Sequence, residues 1–373
     1  MKYYLIAGEA SGDIHGANLM LAIRSLDPAA EFRFWGGDRM VSVGGHQVQH
    51  YRDTAFMGFA EVIGNLRKIL GFLKYCKEDL LAFDADALIL IDYPGFNIRI
   101  AEWAKKKAIR AKIIYYISPQ IWAWKAGRAN VLKKVVDLML VILPFEPAFY
   151  ERYDFEVTYV GHPLLDHLPT LENEENLLTK YKLENKPVIA LLPGSRKQEV
   201  IKHLSVMLSI MPDFQEYQFV VAAVSSLTAD TYQEAEQKGV KTIYNDTSLV
   251  LAHSQAALVA SGTATLETAL MGVPQVVCYK GAWLNYVLAK RLIKVNYISL
   301  VNLILDKPLV KELIQEEFNH QSLVNELNYI LSPEGLKNLE KGYAELKELL
   351  GNQGASKRAA HEIQQVLLER STN

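Results

Sequence analysis

Short, largely apolar runs separated by stretches of helical spacing recur along the chain, at residues 3–7, 32–35, 87–91, 113–117, 138–142 and 157–160. A strand that is apolar on both faces must be covered on both, and the intervening helices supply the cover. The alternation therefore predicts βα units around a parallel sheet. After Gly161-His162-Pro163 a polar stretch rich in Glu and Asn interrupts it and reads as a linker. A second series follows at 188–192, 219–223, 241–244, 257–260 and 275–278. With 373 residues the chain is long enough for two domains, so two doubly wound α/β domains are expected. From Pro333 onward Ala, Leu, Glu and Lys dominate, with helical spacing in Leu339, Tyr343, Leu346 and Leu350, and again in Ile363, Val366 and Leu367. The expected division is 1–170, 171–335, and C-terminal helices over 336–373 that pack back on the first domain.

Composition narrows the function. The 40 Lys and Arg nearly balance 42 Asp and Glu, so no global charge argues for nucleic acid. Between residues 99 and 134, however, ten basic residues face Glu102 alone, a local +9. Cys76 and Cys278 stand far apart without a CxxC, which points to neither a disulfide framework nor a structural zinc site and fits a reducing cytoplasm. No metal ligand set is expected: His46 and His50 lack a third partner, and no HExxH occurs. The first apolar run is broken by Gly8 and Glu9, so no secretory leader is expected, and no run of about 18 apolar residues would span a bilayer.

In open α/β sheets ligands sit beyond the carboxyl ends of the strands. Three such turns are chemically unusual. Gly8-Glu9-Ala10-Ser11-Gly12-Asp13 combines close backbone approach with the polar groups of Glu9, Ser11 and Asp13, although a helix cap by Ser11 or Asp13 explains it equally. Its glycines are four apart, which is not GxGxxG. Gly194-Ser195-Arg196 opens a helix after the first strand of the second series, presenting amides and a guanidinium suited to phosphate. Ser261-Gly262-Thr263 does the same after 257–260, with Glu267 one turn on and able to accept from ribose hydroxyls. Asp84-Ala85-Asp86 resembles a DxD metal clamp but precedes its strand, at the wrong end of the sheet. Asp92 follows that strand; with an ordinary carboxyl pKa of about 3.9 it is an ionised base at neutral pH, or else a helix N-cap.

From Phe59 an apolar stripe runs through Val62, Ile63, Leu66, Ile69, Leu70 and Leu73 at helical spacing, widened by Met57, Phe72 and Tyr75 and flanked by Arg67, Lys68, Lys74 and Lys77. Either the stripe is buried on the sheet or the helix lies on an anionic membrane surface together with the +9 stretch.

These blocks, with Met57–Val62, 91–97, 116–124 and Leu143-Pro144-Phe145-Glu146, resemble those of the lipid-A-disaccharide synthases over nearly the whole chain. The resemblance implies a GT-B fold with two Rossmann-like domains facing a central cleft. It implies metal-independent, inverting transfer from UDP-2,3-diacylglucosamine to 2,3-diacylglucosamine 1-phosphate (lipid X), giving a β(1→6) disaccharide and UDP with no cofactor. By the same resemblance Asp92 is the general base. Arg196, with Gly194 and Ser195, takes the diphosphate, and Glu267, beside Ser261, Gly262 and Thr263, takes the ribose. Asn302 and Gln315 lie near the donor, and Glu9, Ser11 and Gly12 face the acceptor cleft. It further implies a cytoplasmic enzyme held peripherally at the inner membrane. Val301 stands where the family has Pro, and Gly95 where it often has Asp, which leaves Asp92 the clearer base. Alternatives are another UDP-sugar GT-B enzyme, such as a UDP-N-acetylglucosamine 2-epimerase, and a non-catalytic membrane-associated nucleotide-sugar binding module.

Overall fold

The computed structural model describes residues 1–54, 66–168, 176–281 and 295–369. It divides into a unit of residues 1–166 with 352–373 and a second of residues 167–351. The first holds a seven-stranded parallel sheet: β1 (Lys2–Ala7), β2 (Glu31–Gly36), β3 (His46–His50), β4 (Ala87–Ile91), β5 (Lys112–Tyr116), β6 (Leu138–Val141) and β7 (Thr158–Tyr159), ordered β3-β2-β1-β4-β5-β6-β7. The second holds six: β8 (Val188–Leu192), β9 (Gln218–Ala223), β10 (Lys241–Tyr244), β11 (Ser254–Ala260), β12 (Gln275–Tyr279) and β13 (Glu312–Ile314), ordered β10-β9-β8-β11-β12-β13. Strand order therefore reverses between β1 and β4 in one unit and between β8 and β11 in the other, and ligand crevices of doubly wound sheets open at such switch points.

The apolar runs form strands because both faces are covered. In β4 every residue is fully buried, Leu88 and Leu90 facing one core and Ala87, Ile89 and Ile91 the other. The C-terminal crossing is shorter than expected. The helix Pro333–Leu350 stays in the second unit, where Leu339, Tyr343, Leu346 and Leu350 are buried and the Tyr343 hydroxyl donates to the Val273 carbonyl at 3.1 Å. Only the helix Ala355–Glu369 joins the first unit, burying Ala359, Ala360, Ile363 and Leu367 in the core that also holds Leu19 and Ile23 of the helix Ala10–Leu26. Its first amides, from Ala355 and Ser356, donate to the Asp166 carboxylate.

The amphipathic stripe divides. Met57, Phe59, Val62 and Ile63 lie outside the described residues, and Leu66 opens the helix Leu66–Phe83. Leu73 is core, 5% exposed, and Ile69 and Phe72 pack against the same cluster, so a lipid-facing role for Leu73 is corrected: helical periodicity serves the sheet here. Leu70 is 54% exposed. Leu73→Ala is accordingly expected to cost about 2–4 kcal/mol in denaturant unfolding; a loss below about 0.5 kcal/mol would return the residue to the surface. The +9 stretch is also tempered by acids distant in sequence. Lys105 pairs with Asp137 at 3.0 Å, Lys133 with Asp154 at 3.9 Å, and Arg110 with Asp84 and Asp86. Asp86 additionally accepts the Lys2 amide at 2.8 Å, placing the Asp84–Asp86 pair at the amino edge of the sheet as a structural clasp.

Candidate active site

At the β1/β4 switch point two turns meet. Glu9 is the extended N-cap residue of Ala10–Leu26 and makes no side-chain cap bond, Ser11 is exposed, and Gly12 is buried against Ala7. Asp13 caps a different helix: its carboxylate accepts the amides of Gly37, Arg39 and Met40 at 2.7, 3.0 and 3.1 Å, at the start of Asp38–Val43. Gly8 is obligatory for another reason, since a Cβ there would lie 2.2 Å from the Tyr93 ring. The opening loop is thus packed directly on the loop that carries Asp92.

Asp92 and Tyr93 both adopt left-handed backbone, at φ 45° and 48°. Two such non-glycine residues in succession are costly and are held by their surroundings. The Asp92 carbonyl accepts from Asn97 Nδ2 at 2.8 Å and from the Tyr115 hydroxyl at 2.6 Å. The N-cap of the following helix Pro94–Lys107 is Tyr93, so the capping explanation of Asp92 fails. The carboxyl is pushed up to about 7, chiefly by burial and then by the charge of Glu9, against a hydrogen bond from the Tyr93 amide. This corrects the ordinary value expected from sequence. A base that titrates near working pH both ionises and retains proton affinity. Glu9→Gln is expected to move the acid limb of kcat/KM to lower pH, because it removes a charge that makes Asp92 hold its proton; a limb that stays in place would detach the two residues.

Sequence reasoning attached no role to the neighbouring turn. Ile117, at the end of β5, has φ 64°, rare for a β-branched residue. Ser118 shares a 2.6 Å hydrogen bond with the Tyr150 hydroxyl, and the buried Glu146 accepts from Trp122 Nε1 and the amides of Ile142 and Leu143. Burial raises the Glu146 carboxyl to about 7. The only hint was that these residues lie in the quoted blocks.

At the β8/β11 switch point Gly194, at φ 117°, makes the turn that only glycine adopts easily. Ser195 and Arg196 are exposed, and Arg196 pairs with Glu199 at 3.1 Å. Beyond β11, Gly262 is the N-cap of Thr263–Leu270, Thr263 is exposed, and Ser261 donates to the Ile298 carbonyl at 2.9 Å. Glu267, raised by burial, accepts from Ser248 at 3.1 Å. Asn302 turns inward: it donates to the Val310 carbonyl and Glu312 and accepts the Val310 amide, so its side chain is committed to the fold and a direct donor contact is corrected. Glu312, which also takes the Ile298 and Ser299 amides, organises that loop. Gln315, by contrast, has φ 54°, and its buried Nε2 has no hydrogen-bond partner among the described residues. Among the described residues no group of three or more His, Cys, Asp or Glu is placed to hold a metal.

Two parallel, doubly wound units of this kind define the GT-B class. The UDP-GlcNAc 2-epimerase of Neisseria meningitidis, solved with UDP-GlcNAc, matches with a TM-score of 0.70 at 12% identity, over 98% of this chain and 100% of that one. The glycotransferase of kitacinnamycin matches at 0.64 and 11%, over 98% and 99%. Epimerase and transferase share the fold, so fold alone does not choose between them. The sequence does: the lipid-A-disaccharide synthetase profile matches residues 3–366. The lipid-A-disaccharide synthase of Syntrophus aciditrophicus (strain SB) is 39% identical over 366 residues, 95% of each chain. The chain belongs to the lipid-A-disaccharide synthase family of glycosyltransferases.

Proposed function

We propose that the chain transfers 2,3-diacylglucosamine from its UDP ester to the 6-hydroxyl of 2,3-diacylglucosamine 1-phosphate, forming the β(1→6) disaccharide 1-phosphate and UDP. The observation that carries the mechanism is Asp92, a partly accessible carboxyl near pKa 7 on a strained turn beyond β4. Asp92 takes the proton of the 6-hydroxyl, the oxygen attacks C1 of the donor from the face opposite UDP, and the C1–oxygen bond to UDP breaks. Inversion at C1 follows from this single displacement. Charge developing on the departing diphosphate is met by Arg196 and by the amides of the turns after β8 and β11, which are oriented before reaction. Glu267 accepts from the ribose, and Gln315 Nε2 donates to the donor; Glu9 and Ser11 serve the acceptor side. UDP release should require both diacylated substrates. Conversion of the UDP-sugar without an acceptor would instead indicate an epimerase.

The same reading places the enzyme at the cytoplasmic face of the inner membrane, where its acylated substrates reside. No helix among the described residues is long and apolar enough to cross a membrane. Exposed Arg67, Lys68 and Leu70, and the exposed Trp124 with Lys125 over its ring at 4.1 Å, support peripheral contact. Lys68→Glu with Leu70→Glu is expected to weaken binding to anionic vesicles by more than about 1 kcal/mol while leaving the fold intact. Unchanged vesicle binding would remove this face from the interface.

A further inference from the structure

His203 is buried in the helix Lys197–Leu208, which follows the turn of Gly194–Arg196, and the proposed reaction does not use it. Both ring nitrogens are engaged. Nδ1 lies 2.8 Å from the carbonyl oxygen of Pro193, and the amide of Lys280 donates to Nε2 at 2.9 Å. A carbonyl can only accept and an amide N–H can only donate, so the two contacts are satisfied together by one species, the neutral ring with its proton on Nδ1. Pro193 ends the run from β8 and Lys280 ends that from β12, while β11 lies between them in the sheet. The imidazole therefore ties the two strand ends that flank the Ser261–Thr263 turn.

We infer that His203 is a positioning residue of the donor half, a neutral strut that fixes the turn at Gly194–Arg196 against the end of β12. This rests on the reading that those turns take the UDP diphosphate. Phe318 stands edge-on to the ring at 5.6 Å and Tyr279 lies beside it. Of the charged groups on its own helix, Glu199 favours the imidazolium and Lys202 opposes it; Lys280, just beyond β12, meets the ring through its backbone amide. Burial is the largest influence, and the ring stays neutral below its ordinary range. Protonation would place a second N–H against the Lys280 amide and break the strut.

The test uses the full chain labelled with 15N-histidine, with UDP as the probe. The His203 resonances are expected to report the Nδ1–H tautomer and to stay neutral at pH values where an ordinary histidine has taken up its proton. His203→Leu, which loses both bonds, is expected to weaken UDP binding about tenfold. His203→Asn, which can still donate towards Pro193, should fall between the parent and the Leu variant. An Nε2–H tautomer, or an imidazolium at neutral pH, would overturn the inference. So would parent-like UDP affinity in a folded His203→Asn and His203→Leu while Arg196→Ala weakens binding. If Arg196→Ala also leaves UDP binding intact, the diphosphate reading fails instead, and the tautomer still decides the strut. Should His203→Leu not fold, the tautomer and the Asn variant decide.

Discussion

Asp92→Asn is expected to lower turnover by about 10²–10⁴-fold, the range for removal of a general base, while UDP affinity, which the proposed reaction assigns to the other unit, is retained. The same substitution should stabilise the protein. The carboxyl titrates at 3.8 in an unperturbed chain and at about 7 in the fold. Below the first value both states are protonated and nothing is lost. Between the two, the unfolded chain ionises while the folded one keeps its proton, so stability falls as pH rises. Above about 7 the buried charge weighs fully, at most about 4 kcal/mol and less because the carboxyl is partly open to water. The Asn variant should therefore melt above the parent by a margin wider at about pH 8 than at about pH 5. A margin independent of pH would mean an ordinary carboxyl, and near-normal turnover would remove Asp92 from the chemistry. A gain in stability with a loss of activity is the usual mark of a group kept in place for function.

The second large effect is at Arg196. Its guanidinium is 61% exposed and engaged with Glu199, a surface pair that contributes little to the fold. Arg196→Ala should leave unfolding within about 0.5 kcal/mol of the parent. UDP affinity should fall about 10–100-fold through loss of charge-assisted bonds to phosphate. Arg196→Lys should recover part of that, since it restores the charge but not the planar fork. Equal UDP affinity in the parent and the Ala variant would place the diphosphate elsewhere.

Legibility followed burial. β4, β8 and β10 begin and end where their runs do in the sequence, and the first two are buried along their whole length. β3, with sequence His-Gln-Val-Gln-His, is an edge strand whose polar side chains give no apolar signal, and β13 has only three residues. Asp92 was legible as a position beyond a strand but not as a raised pKa, which arises from its burial and from Glu9, about eighty residues away in sequence. Asp13 and Asn302 show the converse: a polar residue in the first turn of a helix can bond backbone elsewhere in the fold as readily as a ligand, and both do. The left-handed residues Asp92, Tyr93, Ile117 and Gln315 carry no sequence mark, because their strain is imposed by tertiary contacts.

The most direct test is to incubate the purified chain with UDP-2,3-diacylglucosamine and 2,3-diacylglucosamine 1-phosphate and to determine the products by NMR. The expected result is a disaccharide 1-phosphate linked β from C1 to O6, one UDP for each linkage formed, and both products formed about 10²–10⁴-fold more slowly by the Asp92→Asn variant. An α linkage, UDP release without a disaccharide, or a disaccharide formed at parental rate by the Asn variant would contradict it.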